Sequence, residues 1–518
     1  YMAENHGMVH PGYTASGVAS LGTLAMLYRM HGRVEPPHAY WNRQEVYDRI
    51  KLLTDGTGTS MPTQGMDRLY LGERRNDGDG YSCGAIHAVA YLFLRDPDAG
   101  YFERLALDFR EKTQAGYAGR LVDPDIIQNC HELEDPMEIK ESEFIAGIVR
   151  PYLMHRIVGD ETPGPSAAEE VASVLKGVRV FPHSGFVHHR HEKGQTAFSW
   201  RNYVTALPFT TDGVLTIGPS RRSMLADFSV KGMPDSHNLR ALKVNQKDDG
   251  FVALLSIDRA QESIRQNVLL ASLPDGRTVC KELLRVLRQC EIERVEQGFL
   301  EITNEDFPLV VARCDGRRVL FHPKGEVVFK GFPSNDPDDD ILLDLDHPAW
   351  LNVDDEIGLV FQGTGKTKYL NRHFYPPNQF RGIVDELTLS SREGAMQFTP
   401  GDVVAELAAL IIPGQNHTET PGSRLQVSES TVDTVCMVVD GYLCAGNFGS
   451  ERRMCSFETS FTGPIPVFEG LARVGHTVEY KIPLDSGEAM YARQVMHVVA
   501  DGIVTIEAVV GGSVYVTN

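Results

Sequence analysis

Residues 177–199 read GVRVFPHSGFVHHRHEKGQTAFS, and the texture of the chain changes there. Short runs rich in Val, Phe and Thr, bounded by Gly and Pro, are the mark of strands joined by tight turns. With 185–191 as a strand, side chains alternate, so His189 and His191 share a face with Val187 while His188 and Arg190 take the other. A His-x-His pair on a strand presents two imidazoles together to a metal or a cleft. The plainer alternative is a solvated, histidine-rich surface strand.

Upstream of Gly177 the chain reads as helices. Residues 14–32 (TASGVASLGTLAMLYRMHG) place Val18, Leu21, Ala25 and Tyr28 at helical spacing, and Gly32 ends the pattern. Further helices are expected at 43–53, 83–94, 101–113, 137–149 and 167–176, which suits a helical bundle or toroid. The segment 162–166 (TPGPS) reads as a linker, with Ser166 placed to cap the last helix. Downstream, strands are expected at 178–181, 185–191, 196–204, 213–217, 252–257, 309–314, 327–332, 356–361, 434–439, 477–482 and 503–509. That is the rhythm of a large antiparallel sandwich. Within it only 281–288 and 400–411 read as helices. The chain is therefore expected to be α+β and multidomain. A helical part spans 1–176, an antiparallel β-sandwich 177–400, and a continuation of the sandwich 401–518.

The 518 residues, 42% hydrophobic and 23% charged, have the composition of a globular protein with several cores. No apolar run approaches the roughly 20 residues that span a bilayer, so no membrane partner is expected. A net charge of −20 argues against nucleic acid, which needs a basic face, yet leaves room for an anionic ligand held by a few local cations. The eight cysteines are scattered, with no C-x-x-C, so neither a disulfide scaffold nor a cysteine metal site is expected. The chain opens at Tyr1 without Met or a signal-like segment, as expected of a mature or truncated product.

A second chemistry-bearing segment is Glu4–Tyr13 (ENHGMVHPGY), a loop before the first helix. Asn5, His6, His10 and Tyr13 combine an amide donor, two imidazoles and a phenol. A capped helix entry explains such a loop equally well on composition alone.

These segments together resemble the heparinase II/III-like polysaccharide lyases. The resemblance rests on the Asn5-His6-Gly7 loop, the helices after it, the linker and the His-x-His strand. Phe186–Ser199 followed by Arg201, 270–276 (LASLPDG) and 349–358 (AWLNVDDEIG) add to it. It implies a partial (α/α) toroid followed by a large antiparallel β-sandwich, with further toroid helices before Asn5. Leaving those helices out would expose apolar faces.

The activity implied is β-elimination on a polysaccharide containing uronic acid, of glycosaminoglycan or alginate type. A base removes the C5 proton, the C4 oxygen leaves, and donors that neutralise the neighbouring carboxylate stabilise the enolate. By the resemblance and by residue type, Asn5 and His189 take that neutralising role. A tyrosine of lowered pKa acts as base or acid, with His6 as proton partner. Tyr70 is favoured as that tyrosine, Tyr13 is its rival on the first loop, and Tyr81 is a third candidate. Tyr13, Arg68, Arg190 and Arg201 are candidates for binding substrate, the arginines because guanidinium pairs bidentately with carboxylate and sulfate.

The chemistry needs no cofactor. Some members of the family carry a structural zinc, for which His191 and His237 match two positions, with Asp212 or Asp235 as the carboxylate. The substrate class favours a secreted or periplasmic location over the cytoplasm. Two other functions are carried forward. A glycoside hydrolase would need facing carboxylates, from Glu4, Asp55, Asp67 or Glu73. A non-catalytic glycan-binding protein would use Trp41, Trp200 and Trp350.

Three motifs are set aside. Gly363-Thr364-Gly365-Lys366-Thr367 has Val360 where a phosphate loop needs its first glycine. Residues 336–340 (DPDDD) lack the glycine and closing Glu of a calcium loop. Asn416-His417-Thr418 is a sequon, meaningful only in a secreted chain.

Overall fold

Apolar residues at three- and four-residue spacing build the helical part. The helices are α1 (Pro11–Met30), α2 (Arg43–Lys51), α3 (Ala85–Val89), α4 (Pro97–Gly116), α5 (Met137–Val158) and α6 (Ala168–Leu175). The computed structural model describes residues 11–54, 58, 84–116, 119–120, 137–159, 162–182, 185–200, 204–210, 215–216, 222–303, 317–329, 337–372, 384–430, 433–461, 476–495, 505–510 and 515–517. Val18, Leu21 and Ala25 of α1 pack against Tyr47, Ile50, Val89 and Met154 in one core. Gly22 lets α1 approach closely, since a Cβ there would lie 2.3 Å from Val89. After α3 the helix widens into a π-turn over Ala90–Leu94, and Arg95 at φ 60° ends it. Tyr13 falls on the first turn of α1, not on a loop before it.

Ser166 does not cap α6. Its hydroxyl donates to Asp98 at 2.7 Å, and the N-cap position is Ala167, whose N–H donates to Glu170 at 3.1 Å. The linker is thereby tied to α4.

The rest of the described chain is antiparallel sheet. The first four strands, β1 (Gly177–Phe181), β2 (Phe186–His191), β3 (Gly194–Ser199) and β4 (Thr205–Thr210), form a meander in sequence order. Behind them stand sheets of nine, six, five and three strands. One core lies between the nine- and six-stranded sheets and takes in Val187 and Phe198 of the meander. A second lies between the nine- and five-stranded sheets, and a third between the five- and three-stranded sheets. The nine-stranded sheet is thus covered on both faces. Along Val403–Pro413, Leu407, Ala409 and Ile411 enter the first core while Ala408, Leu410 and Ile412 enter the second.

That double burial corrects two expectations. Residues 281–288 and 400–411 are not helices but lie largely within the strands Thr278–Val286 and Val403–Pro413, paired with each other from Thr278↔Ile411 to Arg285↔Val403. Along Val403–Pro413 both faces are apolar, so the alternation that marks a strand disappears and its Ala- and Leu-rich sequence looks helical. The strand Val403–Pro413 sits between Ile357–Gly363 and Thr278–Val286, so this sheet runs past residue 400, and the next layer begins at Leu425. Gly363–Thr367 is a strand-to-strand turn in which Gly365 packs on Ser391, and a Cβ there would come within 2.4 Å of the Ser391 carbonyl oxygen. Asp340 pairs with Arg372 at 3.1 Å. The expected strand at 309–314 lies outside the described residues.

Candidate functional site

The pleat of β2 divides its side chains as alternation requires. Phe186 and Arg190 point toward the helices: Phe186 packs with Leu53, and an Arg190 Nη1–H donates to the Thr54 carbonyl just beyond α2. Phe181 of β1 stacks on Phe186 with ring centroids 4.4 Å apart, and also joins the cluster of Leu52, Phe102, Val171 and Leu175. Val187, His189 and His191 point the other way, toward the nine-stranded sheet. His189 Nδ1 hydrogen-bonds Ser272 Oγ at 2.7 Å, and His191 lies against Gly276 in the following turn. Gly276 is required there: its φ is +86°, and a Cβ would stand 2.6 Å from His191 Nδ1. Thr196 and Thr278 bond at 2.8 Å beside this contact, so a polar seam joins the meander to the sheet.

The histidines are buried, not solvated: His188 is 2% exposed, His189 1% and His191 6%. The surface-strand reading is therefore overturned. Burial lowers all three pKa values, for His188 to about 4 with help from the Arg190 and Arg179 cations, for His189 to about 3, and for His191 to about 4. His188 Nε2 lies 2.5 Å from Gln195 Oε1 and donates to it. Among the described residues His191 Nδ1 finds no hydrogen-bond partner. The ring centroids of His189 and His191 are 5.2 Å apart. At neutral pH the strand thus holds neutral imidazoles, and its one fixed cation toward the helices is Arg190.

The zinc expectation does not fit the described residues. His191 lies by the turn after Ser272, and Ser272 pairs with Phe251, whereas His237 pairs with Arg259 at the other end of that strand. Eight residues at about 3.3 Å each put the two histidines on the order of 25 Å apart. His237 instead lies 3.8 Å from Asp235, whose carboxylate is held below its ordinary range by Arg259 although burial opposes this. Among the described residues no group of three His, Cys, Asp or Glu is placed to hold a metal.

Of the other expected site residues, Asn5, His6, Arg68, Tyr70, Tyr81, Arg201 and Asp212 lie outside the described residues, as do Glu4, Asp55, Asp67 and Glu73 of the hydrolase alternative. Of the three tryptophans, Trp41 and Trp200 lie in different parts of the fold. Trp41 is 77% exposed on the helical part, while Trp200 packs beside Phe198, 6.1 Å between centroids, at the first core.

Sequence reasoning missed the residues that fix the approach to this region. His87 Nε2–H donates to the Gly58 carbonyl at 2.8 Å, and its Nδ1 accepts from the buried Tyr47 hydroxyl at 2.9 Å. Lys51 at the end of α2 pairs with Asp96 and Asp98 at 2.9 and 3.0 Å. A histidine amid apolar helix residues was the available signal for the first. Ser272, the partner of His189, lies inside the 270–276 phrase already singled out.

No protein-family model and no curated protein sequence matches the chain. Solved structures similar to it include polysaccharide lyases over most of the chain and α-galactosidases over less than half of it, among them the galactosidase domain of AgaSK, 9% identical with a TM-score of 0.28 over 47% of this chain and 42% of that one. The chondroitin AC lyase of Streptomyces coelicolor A3, in complex with chondroitin sulphate, is 11% identical with a TM-score of 0.46. The match covers 95% of this chain and 65% of that one. A second chondroitinase AC lyase is 10% identical, TM-score 0.40, over 98% of this chain and 69% of that one. A heparinase III is 10% identical, TM-score 0.29, over 83% and 64%. This chain thus spans less than two thirds of the length of the first lyase. At such identities and scores these are neighbours in outline, and the chemistry rests on the residues.

Proposed function

We propose that the chain belongs to a polysaccharide lyase that cleaves a uronic-acid-containing anionic glycan by β-elimination. The observation that carries this reading is the joining of the helical part to the histidine strand. The helices that follow the Asn5-His6-Gly7 loop are bound, through Leu53 and Thr54, to the strand that carries the histidines. In this reading the helices belong to a partial (α/α) toroid, and the glycan lies where toroid and sandwich meet.

Within that reading, Asn5 donates to the uronate carboxylate, so that removing the C5 proton yields a stabilised enolate. Tyr70 takes the C5 proton or returns one to the C4 oxygen, and His6 handles the other proton. Arg68 and Arg201 hold further acidic groups of the glycan. His189, buried and uncharged, acts from behind the site by fixing the strand through Ser272. Its expected place beside the substrate carboxylate finds no support in a ring 1% exposed and turned toward the sheet.

The test is ultraviolet absorbance during incubation with chondroitin sulfate, hyaluronan, heparan sulfate, heparin and alginate. An unsaturated uronate is a product of elimination alone, so rising absorbance supports the reading and names the glycan. New reducing ends without absorbance would replace it with hydrolysis, and binding without either product would leave a glycan-binding protein.

A further inference from the structure

We propose that Arg190 is a positioning residue, which locks the helical layer to the histidine strand, and not a ligand for the acidic groups of a substrate. The proposal rests on the lyase reading above for its effect on turnover, but the contact itself is independent of it. A guanidinium that recognises a carboxylate or sulfate offers its planar fork to the ligand. Here one arm of the fork already donates to a main-chain carbonyl, that of Thr54, and the side chain is half buried.

The carbonyl is itself well fixed. Thr54 N–H donates to Lys51 at 3.2 Å and its hydroxyl to Ile50 at 3.1 Å, so Thr54 closes α2. Lys51 is anchored to Asp96 and Asp98, and Asp98 takes the Ser166 hydroxyl of the linker. Leu53 meets Phe186 and Phe181 on the same side of the meander as Arg190. An apolar contact sets the distance between the two layers, and a charged hydrogen bond sets their register. A bond of this kind, made between layers that both border the site, affects how often the groups are aligned more than how tightly the glycan binds.

The experiment uses the full chain with Arg190→Lys and Arg190→Gln. Amide hydrogen exchange is measured by mass spectrometry, and initial rates on the glycan identified by absorbance. In Arg190→Gln the Leu53 and Thr54 amides are expected to exchange about tenfold faster while the β2–β3 ladder keeps its protection. kcat is expected to fall about tenfold with KM within about twofold, and Arg190→Lys to restore most of both readouts. A KM raised about tenfold at unchanged kcat would make Arg190 a substrate ligand and overturn the proposal. Unchanged exchange at Leu53 and Thr54 would overturn it as well, even for a chain that turns over no glycan. Failure of the wild-type chain to form unsaturated product, with exchange altered as expected, would instead sink the lyase reading and leave the lock standing.

Discussion

His189 Nδ1 and Ser272 Oγ, 83 residues apart in sequence, lie 2.7 Å from each other between the meander and the nine-stranded sheet. Because both are buried, removing either leaves the other without a partner, at a cost of about 1–3 kcal/mol. Ser272→Ala and His189→Ala are expected to lower the urea midpoint by a similar amount. The double variant should lose less than the sum of the two. Strict additivity in that cycle would show that the bond carries no coupling.

Acid is expected to destabilise the fold through the three histidines of β2. Their folded pKa values, about 4, 3 and 4, lie below the ordinary 6.5. Between those values the unfolded chain binds more protons than the folded one, so stability rises with pH. The contribution is complete above about pH 6.5 and is lost as pH falls toward 4. Urea midpoints from pH 8 to 4.5 should follow that slope, and His188→Gln should flatten it. A wild-type midpoint that stayed level from pH 6.5 to 4.5 would contradict the neutral burial of these rings.

The two-faced core of the nine-stranded sheet predicts a graded response along Val403–Pro413. Leu410→Ala, fully buried in the core shared with the five-stranded sheet, should cost about 2–5 kcal/mol. Val403→Ala, 41% exposed at the start of the same strand, should cost well under half as much. Chemical denaturation of the two variants compares them directly. Equal losses would count against this strand's central place.

Turnover should depend on the proposed proton carriers. Asn5→Ala and Tyr70→Phe are each expected to reduce the elimination rate by about a hundredfold or more, as removal of an oxyanion donor or a general acid–base group does. Tyr13→Phe should keep most of it. The initial rate of absorbance increase reads all three. The reverse order would move the role to Tyr13.

Chelation should leave the fold untouched. Since His191 and His237 lie far apart and no cluster among the described residues fits a metal, EDTA is expected not to shift the thermal midpoint. A fall of several degrees, restored by zinc, would reveal a site in the remaining residues.

Much was legible in the sequence because it is written locally. The helices around Val18–Ala25 and Tyr47–Ile50 follow from apolar spacing, and the strands Thr434–Val439 and Phe186–His191 from β-branched and aromatic runs between turns. The alternation of β2 was also legible, since period-two geometry belongs to any strand. Which face of β2 would meet the helices was not. Nothing in FVHHRH says that Arg190 reaches Thr54 while His189 reaches Ser272, because those partners are 136 and 83 residues away.

The same limit explains the helices that proved to be strands. In Val403–Pro413 the local signal, Ala and Leu at mixed spacing, favours a helix, and only a sheet with cores on both sides makes it a central strand. The charge state of the histidines is likewise a property of the fold, since an imidazole keeps or loses its proton according to the water it retains. Sequence by itself determined the change from helices to strands near Gly177 and the stock of chemical groups. Tertiary structure decided which faces were buried, which residues met, and that His191 and His237 lie by opposite ends of the strand Gly250–Arg259. Burial and long-range pairing depend on where distant segments pack, and no local pattern contains that.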